Sequence, residues 1–409
     1  MDLDTFRWLL TDDGQALLAA ATAATAATGA TGASRATRAT RAAERTPLQV
    51  QRALREIATG SSDERAARVA ATLGQVELRR HATAKLGEDA ARMYFTREGL
   101  EQATRAPVAR HRASRIALVG PSVVDLTCGI GGDLIAFARS GLTTAGVDLD
   151  PLRVEMARAN LAALALGGAV EVGDAVTLDV APFATAYADP ARRGARGRSF
   201  HAGDWTPPWA FVESLLRGRA CVKVAPGIPH SLVPEGAEAE WVSDQGEVKE
   251  AVLWSPALAS AGRRATVIGR GGLASLTEED DPGADVGGVA AYLYEPDGAV
   301  IRAGLVTAVA AGVRGHLLDR KIAYVAGDSA YHSPFARSYR VVEELPYREK
   351  QLRAALRERN VGTLTIKKRG VDIAPEQLRQ RLGLRGDETA TVVLTRVAGE
   401  GTTLLVEPL

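Results

Sequence analysis

Cysteine is scarce: only Cys128 and Cys221 occur in 409 residues. They stand far apart, with no CxxC pair and no histidine cluster at ligand spacing. A disulfide framework is thereby excluded and no metal site is expected. A charge of one sign is lacking too, since 50 basic and 49 acidic residues leave a formal net charge of +1. No global field therefore marks the chain for nucleic acid or membrane, and any basic surface must be local. No apolar run approaches the roughly 20 residues that cross a bilayer. The opening Met1-Asp2-Leu3-Asp4 is acidic where a signal peptide carries positive charge, so a cytoplasmic protein without a membrane partner is expected. From about Leu18 to Ala43 an Ala/Thr tract lacks the large apolar side chains of a core, and reads as a low-complexity insertion without a function of its own.

The remainder has an ordinary globular composition, 46% hydrophobic and 24% charged, at a length that suits two or three domains. Residues 1–114 predict a helical region, in which Val69, Leu73 and Val76 recur at helical spacing. Thr96 is placed to cap a helix there, and the segment around it can line a cofactor pocket from outside the main fold. Between 123 and 224, apolar runs at 123–126, 144–149, 169–172, 185–188 and 220–224 alternate with helical stretches. That rhythm predicts an α/β fold, a doubly wound parallel sheet that binds ligands at the carboxyl ends of its strands. Strands at 239–243 and 248–253 are joined too closely for a crossover, so a seven-stranded Rossmann-like sheet with an antiparallel edge is expected over 115–275. Beyond an acidic linker at 278–283, residues 288–409 predict a small α+β domain, with helices at 348–359 and 375–382 preceding strands at 362–367 and 390–397.

The chemistry gathers at the strand ends. The first strand runs into Asp125-Leu126-Thr127-Cys128-Gly129-Ile130-Gly131-Gly132-Asp133, where glycines let the backbone turn tightly and approach a ligand. A dinucleotide fingerprint would need glycine at 134, which is Leu134. Asp125, ahead of the glycines, is unfavourable to a pyrophosphate but suited to the ammonium of a methionine moiety. Asp148 at the second strand end is placed to receive two ribose hydroxyls, while Asp150 suits a helix cap before Pro151. Asp174, after the third strand, is placed to accept from an adenine amine. Asp189-Pro190 ends the fourth, with the proline fixing the backbone so that the acid can orient or deprotonate an incoming amine or hydroxyl.

Arg192, Arg193, Arg196 and Arg198 follow, a composition suited to phosphate or carboxylate. Trp205 and Trp209 read equally as base-stacking residues or as core anchors. Lys223 breaks an apolar strand and reads as substrate-facing or as reaching solvent. Both cysteines read as small buried residues, so a thiol nucleophile for pyrimidine carbon methylation is not evident. Between 347 and 381, ten basic residues, among them Lys367 and Lys368, face four acids, a local patch that reads as an RNA contact or as a solvated helix face.

The glycine motif and the following Gly146-Val147-Asp148-Leu149-Asp150-Pro151 resemble the cofactor half of the class I S-adenosylmethionine-dependent methyltransferases, closest to the RNA cap guanosine N2 methyltransferase group. The Phe95-Thr96-Arg97-Glu98-Gly99-Leu100 lead-in is similar to that group as well. Residues after about 340 resemble a THUMP-like domain, whose relatives bind RNA. The resemblance implies S-adenosylmethionine held by Asp125, Thr127, Gly129, Gly131, Asp148 and Asp174, with Asp189, Pro190 and Arg192 on the catalytic side. It places Arg193, Arg196, Trp205, Trp209, Lys223, Lys367 and Lys368 as candidate substrate contacts. Amine-methylating relatives commonly carry an aromatic residue where this chain has Arg192, so the methylated atom stays open. The expected activity is in-line methyl transfer to a nitrogen of an RNA base. A small-molecule or protein acceptor, or a catalytically silent RNA-binding protein, are the alternatives.

Overall fold

The computed structural model describes residues 1–29, 46–192 and 205–409. The chain divides into two compact units, Met1–Val222 and Lys223–Leu409. The Ala/Thr tract lies outside the described residues beyond Gly29.

Among the described residues of the first unit, six α-helices come before any strand: α1 (Leu3–Leu9), α2 (Asp12–Gly29), α3 (Pro47–Ile57), α4 (Ser62–Leu86), α5 (Arg97–Gln102) and α6 (Ala106–Ala117). Their starts are written locally. Thr46 with Gln49 and Ser61 with Glu64 form reciprocal capping boxes at α3 and α4. As expected, Thr96 caps α5, its hydroxyl accepting from the Gly99 N–H at 2.9 Å. Val69 and Val76 are buried along α4.

The alternating part follows: β1 (Ser122–Asp125), α7 (Gly132–Arg139), β2 (Thr143–Asp148), α8 (Pro151–Ala163), β3 (Ala169–Val172) and β4 (Thr185–Ala188). Next come a short antiparallel pair, β5 (Ala191–Arg192) and β6 (Trp205–Thr206), then α9 (Trp209–Leu216) and β7 (Ala220–Val224). Parallel pairing orders the strands β7-β4-β1-β2-β3. The chain reverses direction across the sheet between β1 and β4, and there the carboxyl ends open a crevice. Gly131, the N-cap of α7, sits at φ 83°. A Cβ on it would lie 3.2 Å from the backbone of Ala157, so α7 and α8 come this close only over a glycine.

Asn160, fully buried on α8, ties three segments together. Its Oδ1 accepts from the Tyr94 N–H at 2.6 Å, and its amide donates to the carbonyls of Tyr94 and Ile130 at 3.1 and 2.8 Å. The helical lead-in, the glycine turn and α8 thus share one side chain.

The second unit opens with β8 (Glu238–Asp244) and β9 (Glu247–Trp254), the expected antiparallel hairpin. That hairpin does not end the sheet. β10 (Arg263–Gly269) pairs parallel to β8, and β11 (Gly272–Thr277) pairs antiparallel to β10. Four strands therefore stand in this part of the second unit where the sequence pattern predicts two. The extra pair occupies residues to which the sequence pattern assigns no strand.

The remainder comprises β12 (Tyr292–Pro296), α10 (Gly298–Ala303), α11 (Val306–Gly312), β13 (His316–Asp319), β14 (Ile322–Gly327), β15 (Ala336–Leu345), α12 (Glu349–Glu358), β16 (Val361–Lys368), α13 (Pro375–Leu382), β17 (Glu388–Val397) and β18 (Glu400–Pro408). Seven of these strands form a sheet in the order β13-β14-β12-β15-β18-β17-β16. Leu352, Leu356, Leu378 and Leu382 of α12 and α13 pack on one of its faces, against Leu364, Ile366, Val392 and Leu394. The predicted helices and strands of this stretch are present within two residues at each end.

Replacing Asn160 by alanine leaves three buried backbone groups without their partner. Unfolding free energy in urea should fall by about 1–3 kcal/mol or more, since each orphaned group carries a desolvation cost of that order.

Candidate active site

A cavity of about 500 Å³ opens over the carboxyl ends of β1–β4, within the range of roughly 300–1,000 Å³ usual for small-molecule sites. Each strand end supplies part of its lining: Leu126 to Ile130 after β1, Asp148 to Asp150 after β2, Gly173 to Val176 after β3, and Asp189 after β4. Gly99 and Gln102 to Thr104 close it from the helical region, as expected for the Thr96 segment.

Asp148 organises the floor. One carboxylate oxygen accepts from the Gly129 N–H and the other from the Asp150 N–H, both at 3.0 Å. Each oxygen keeps a second lone pair for a further donor. Asp150 caps α8 through the Leu152 N–H at 2.8 Å, as its sequence position predicts. Asp174 holds its own turn through the Val176 N–H at 3.0 Å and sits in the lining. The Thr127 hydroxyl accepts from the Asp189 N–H at 2.7 Å, joining the β1 loop to the β4 end.

Asp125 is placed differently from the expectation. It is buried, accepts from the Thr127 N–H at 3.0 Å and does not line the cavity. Burial pushes its pKa well above the ordinary carboxylate range, and the negative fields of Asp133 and Asp189 add to this. Gly131 also lies behind the lining, where it lets α7 approach α8.

The sequence reading missed the partner of this acid cluster. Arg112 of α6, buried, forms an ion pair with Asp133 at the first turn of α7. Its guanidinium lies 4.7 Å from the centre of the Tyr187 ring. Thr104 donates to the same Asp133 carboxylate at 2.9 Å and the Tyr187 hydroxyl at 3.4 Å. Only the excess of acids around the glycine motif hinted at a counter-charge, and no spacing points to a helix twenty residues upstream.

The cavity is acidic, with Asp133, Asp148, Asp150, Asp174 and Asp189 against Arg153, which pairs with Glu98 at 3.1 Å and Asp150 at 3.6 Å. Such a lining repels a pyrophosphate and suits a cation that carries hydroxyls and an amine. Leu149 and Val176, 65% and 54% exposed, leave apolar surface uncovered in the lining, which suits a flat heterocycle. The residues present therefore fit an adenosyl sulfonium.

A Mycobacterium tuberculosis protein described as an uncharacterized S-adenosylmethionine-dependent methyltransferase is 43% identical over 310 residues, covering 74% of this chain and 84% of its own, in strains CDC 1551 / Oshkosh and ATCC 25618 / H37Rv. The chain belongs to the S-adenosylmethionine-dependent methyltransferases. A crystal structure from Porphyromonas gingivalis W83, assigned to the methyltransferases, superposes with a TM-score of 0.72 at 23% identity, over 96% of this chain and 98% of that one. It supports the methyltransferase fold. The THUMP domain-like family matches residues 336–408, in agreement with the C-terminal resemblance. S-adenosylmethionine is the cofactor of this methyltransferase, and none of the described helices is long and apolar enough to cross a membrane.

Other expected site residues are scattered. Pro190 is buried next to Asp189. The backbone of Arg192 lies in β5, but its side chain, with Arg193 and Arg196, falls outside the described residues. Trp205 and Trp209 are both buried and pack edge to face with ring centres 5.5 Å apart, while Trp209 donates to Glu213 at 3.0 Å. Of the two readings left open for them, the core anchor is the one observed. It is Thr206, Pro207 and Pro208, between the tryptophans, that reach the cavity. Lys223 is half-buried on β7 and does not line the cavity, and Cys128 lines it as a thiol whose pKa burial raises.

In the second unit half of the ten basic residues between 347 and 381 are in ion pairs. Arg353 and Arg381 pair with Glu349, Arg379 with Glu376, Arg359 with Glu343, and Lys367 with Glu295. Lys368 is exposed.

The raised Asp125 pKa sets a pH dependence. An acid whose folded pKa lies above its unfolded value of about 3.8 binds more protons when folded, so its contribution to stability falls as pH rises from there towards the folded value. Asp125→Asn keeps the acceptor for Thr127 and removes the ionisation. The stability of this variant relative to the parent should therefore increase with pH above the ordinary carboxylate range, in denaturation midpoints taken at stepped pH. A constant difference would show that Asp125 ionises as freely folded as unfolded.

Proposed function

We propose that this methyltransferase transfers a methyl group in line to a nitrogen of an RNA base. The observation that carries the assignment of residues is that Asp148, Asp174 and Asp189 line one cavity around the Gly129 turn. When bound, S-adenosylmethionine supplies a sulfonium-activated methyl group. Asp148 would accept from the ribose hydroxyls through the lone pairs left by Gly129 and Asp150. Asp174 would accept from the adenine amine, with Leu149 and Val176 against the ring. Thr127 and Gly129 would shape the turn that meets the methionine portion, and Asp125 and Gly131 would act from behind it, by holding that turn.

Asp189 would face the acceptor, receiving a proton from the attacking nitrogen or orienting its lone pair. Pro190 fixes its backbone from one side and the Thr127 hydroxyl from the other. Positioning of this kind accounts for most of the rate in a displacement that needs no covalent intermediate on the protein. The RNA acceptor is supported by the THUMP domain-like match at 336–408, since relatives of that module bind RNA. The ion pairs that engage half of the basic residues of the 347–381 stretch favour, as a second reading, a small-molecule or protein acceptor.

Asp189→Ala should abolish turnover with cofactor affinity nearly unchanged, whereas Asp148→Asn should weaken S-adenosylhomocysteine binding by about tenfold or more, the worth of hydrogen bonds to a charged group. Calorimetry with each variant separates the two roles, and loss of cofactor binding in Asp189→Ala would reverse the assignment of sides. Mass spectrometry of RNA nucleosides from cells with and without the gene tests the acceptor: one methylated nucleoside should disappear, and an unchanged set would point away from RNA.

A further inference from the structure

The second unit contains a larger hollow, of about 900 Å³, unconnected with any role given above. Its walls are the β10–β11 turn, Gly269-Arg270-Gly271-Gly272, and the segment from His332 to Tyr339 that leads into β15. Thr365, Lys367 and Thr391 face it from β16 and β17.

The charge of this lining is mainly positive, with the Leu409 carboxylate as its negative member. Arg270, Arg337 and Lys367 contribute to it, and no aspartate or glutamate side chain does, in a chain whose total formal charge is only +1. Lys367 is compensated by Glu295 at 2.7 Å and lies 5.4 Å from the centre of the Tyr339 ring. Burial pulls its pKa down, but the hydrogen bonds to Glu295 and Tyr339 outweigh this and keep it above the usual lysine value. Arg270 and Arg337 are exposed, and neither forms an ion pair among the described residues. Arg337 also borders an adjoining hollow of about 430 Å³, shared through Val267, Gly269, Pro334 and Ala336, into which Arg369 extends. Glu295 and Asp297 line that adjoining hollow as well and balance Arg337 and Arg369 there, so the excess of positive charge stays with the larger one.

The backbone beside Arg270 is open. A Cβ built on Gly269, Gly271 or Gly272 meets nothing within 4 Å, and Gly272 has a φ of +107°. Glycines on both sides of Arg270 leave no side chain in the way of a bulky anion that approaches its guanidinium. Ser333, Thr365 and Thr391 add hydroxyls, while the Ser338 hydroxyl is already donated to the Tyr331 carbonyl at 2.8 Å. Planar guanidinium forks and hydroxyls are together a donor set that recognises phosphate oxygens.

We infer that this hollow is a phosphodiester-binding track, which holds the sugar-phosphate backbone of the RNA acceptor through Arg270 and Arg337. The inference rests on the RNA reading above and adds to it a place of contact. Arg270 lies outside the THUMP domain-like match, so the track is not confined to that module.

The test is the Arg270→Gln, Arg337→Gln double variant in the full chain, with binding of a mixed-sequence single-stranded oligoribonucleotide measured across a salt series and binding of S-adenosylhomocysteine as a check of folding. With cofactor binding retained, RNA affinity should drop about tenfold or more at fixed salt. The log–log salt slope should flatten by about 1.4, the loss of two phosphate contacts on a single strand. If the parent protein binds the oligoribonucleotide and the variant has the same affinity and slope, the track is wrong and the RNA reading survives. If the parent protein binds no RNA, both fail. If inorganic phosphate binds the parent and is lost in the variant while RNA binds neither, the hollow serves a small phosphoester and the strand proposal is overturned.

Discussion

The Asp148 carboxylate carries more of this protein than its size suggests. It stands at the end of β2 and holds the Gly129 amide of the neighbouring loop and the Asp150 amide of its own. Without an acceptor there, two backbone N–H groups beside the cavity would have no partner and the glycine turn no fixed distance from β2. The same atoms would have to meet the donors of a ligand. Holding the turn and binding a ligand are thus one requirement, and an acid at this strand end satisfies both because each of its oxygens has two lone pairs.

The helical region is a structural part of the site. Asn160 fixes Tyr94 against the glycine turn, Arg112 balances Asp133, and Thr104 reaches the same carboxylate. A bare α/β sheet would leave several aspartates crowded in a partly buried crevice, where their mutual repulsion is weakly screened. The arginine from α6 offsets that repulsion only because the helices pack over the strand ends.

The parts legible in the sequence were those governed by local chemistry. Alternating apolar runs placed β1–β4 and β7, the Asp-Pro pair placed the start of α8, and Thr96 placed the cap of α5. The acids at 148, 174 and 189 could be read as convergent because parallel strands put their carboxyl ends on one side. Contacts between distant segments were not legible. Nothing near Asp133 announces Arg112, and the ion pairs that quieten the 347–381 stretch use Glu295 and Glu343 from other strands. Trp205 and Trp209 could not be sorted between stacking and packing until their mutual contact was seen. Arg263–Gly269 and Gly272–Thr277 were given no strand, although most of them lie within the span assigned to the sheet domain, because an antiparallel strand with one open face needs few large apolar residues.

The hydrogen bond from the Asp189 amide to the Thr127 hydroxyl joins the loop that would meet the methyl donor to the loop that would meet the receiving molecule. Neither loop can shift far alone. A ligand that displaced one loop would therefore be felt at the other, and any coupling between the two would be reciprocal in affinity.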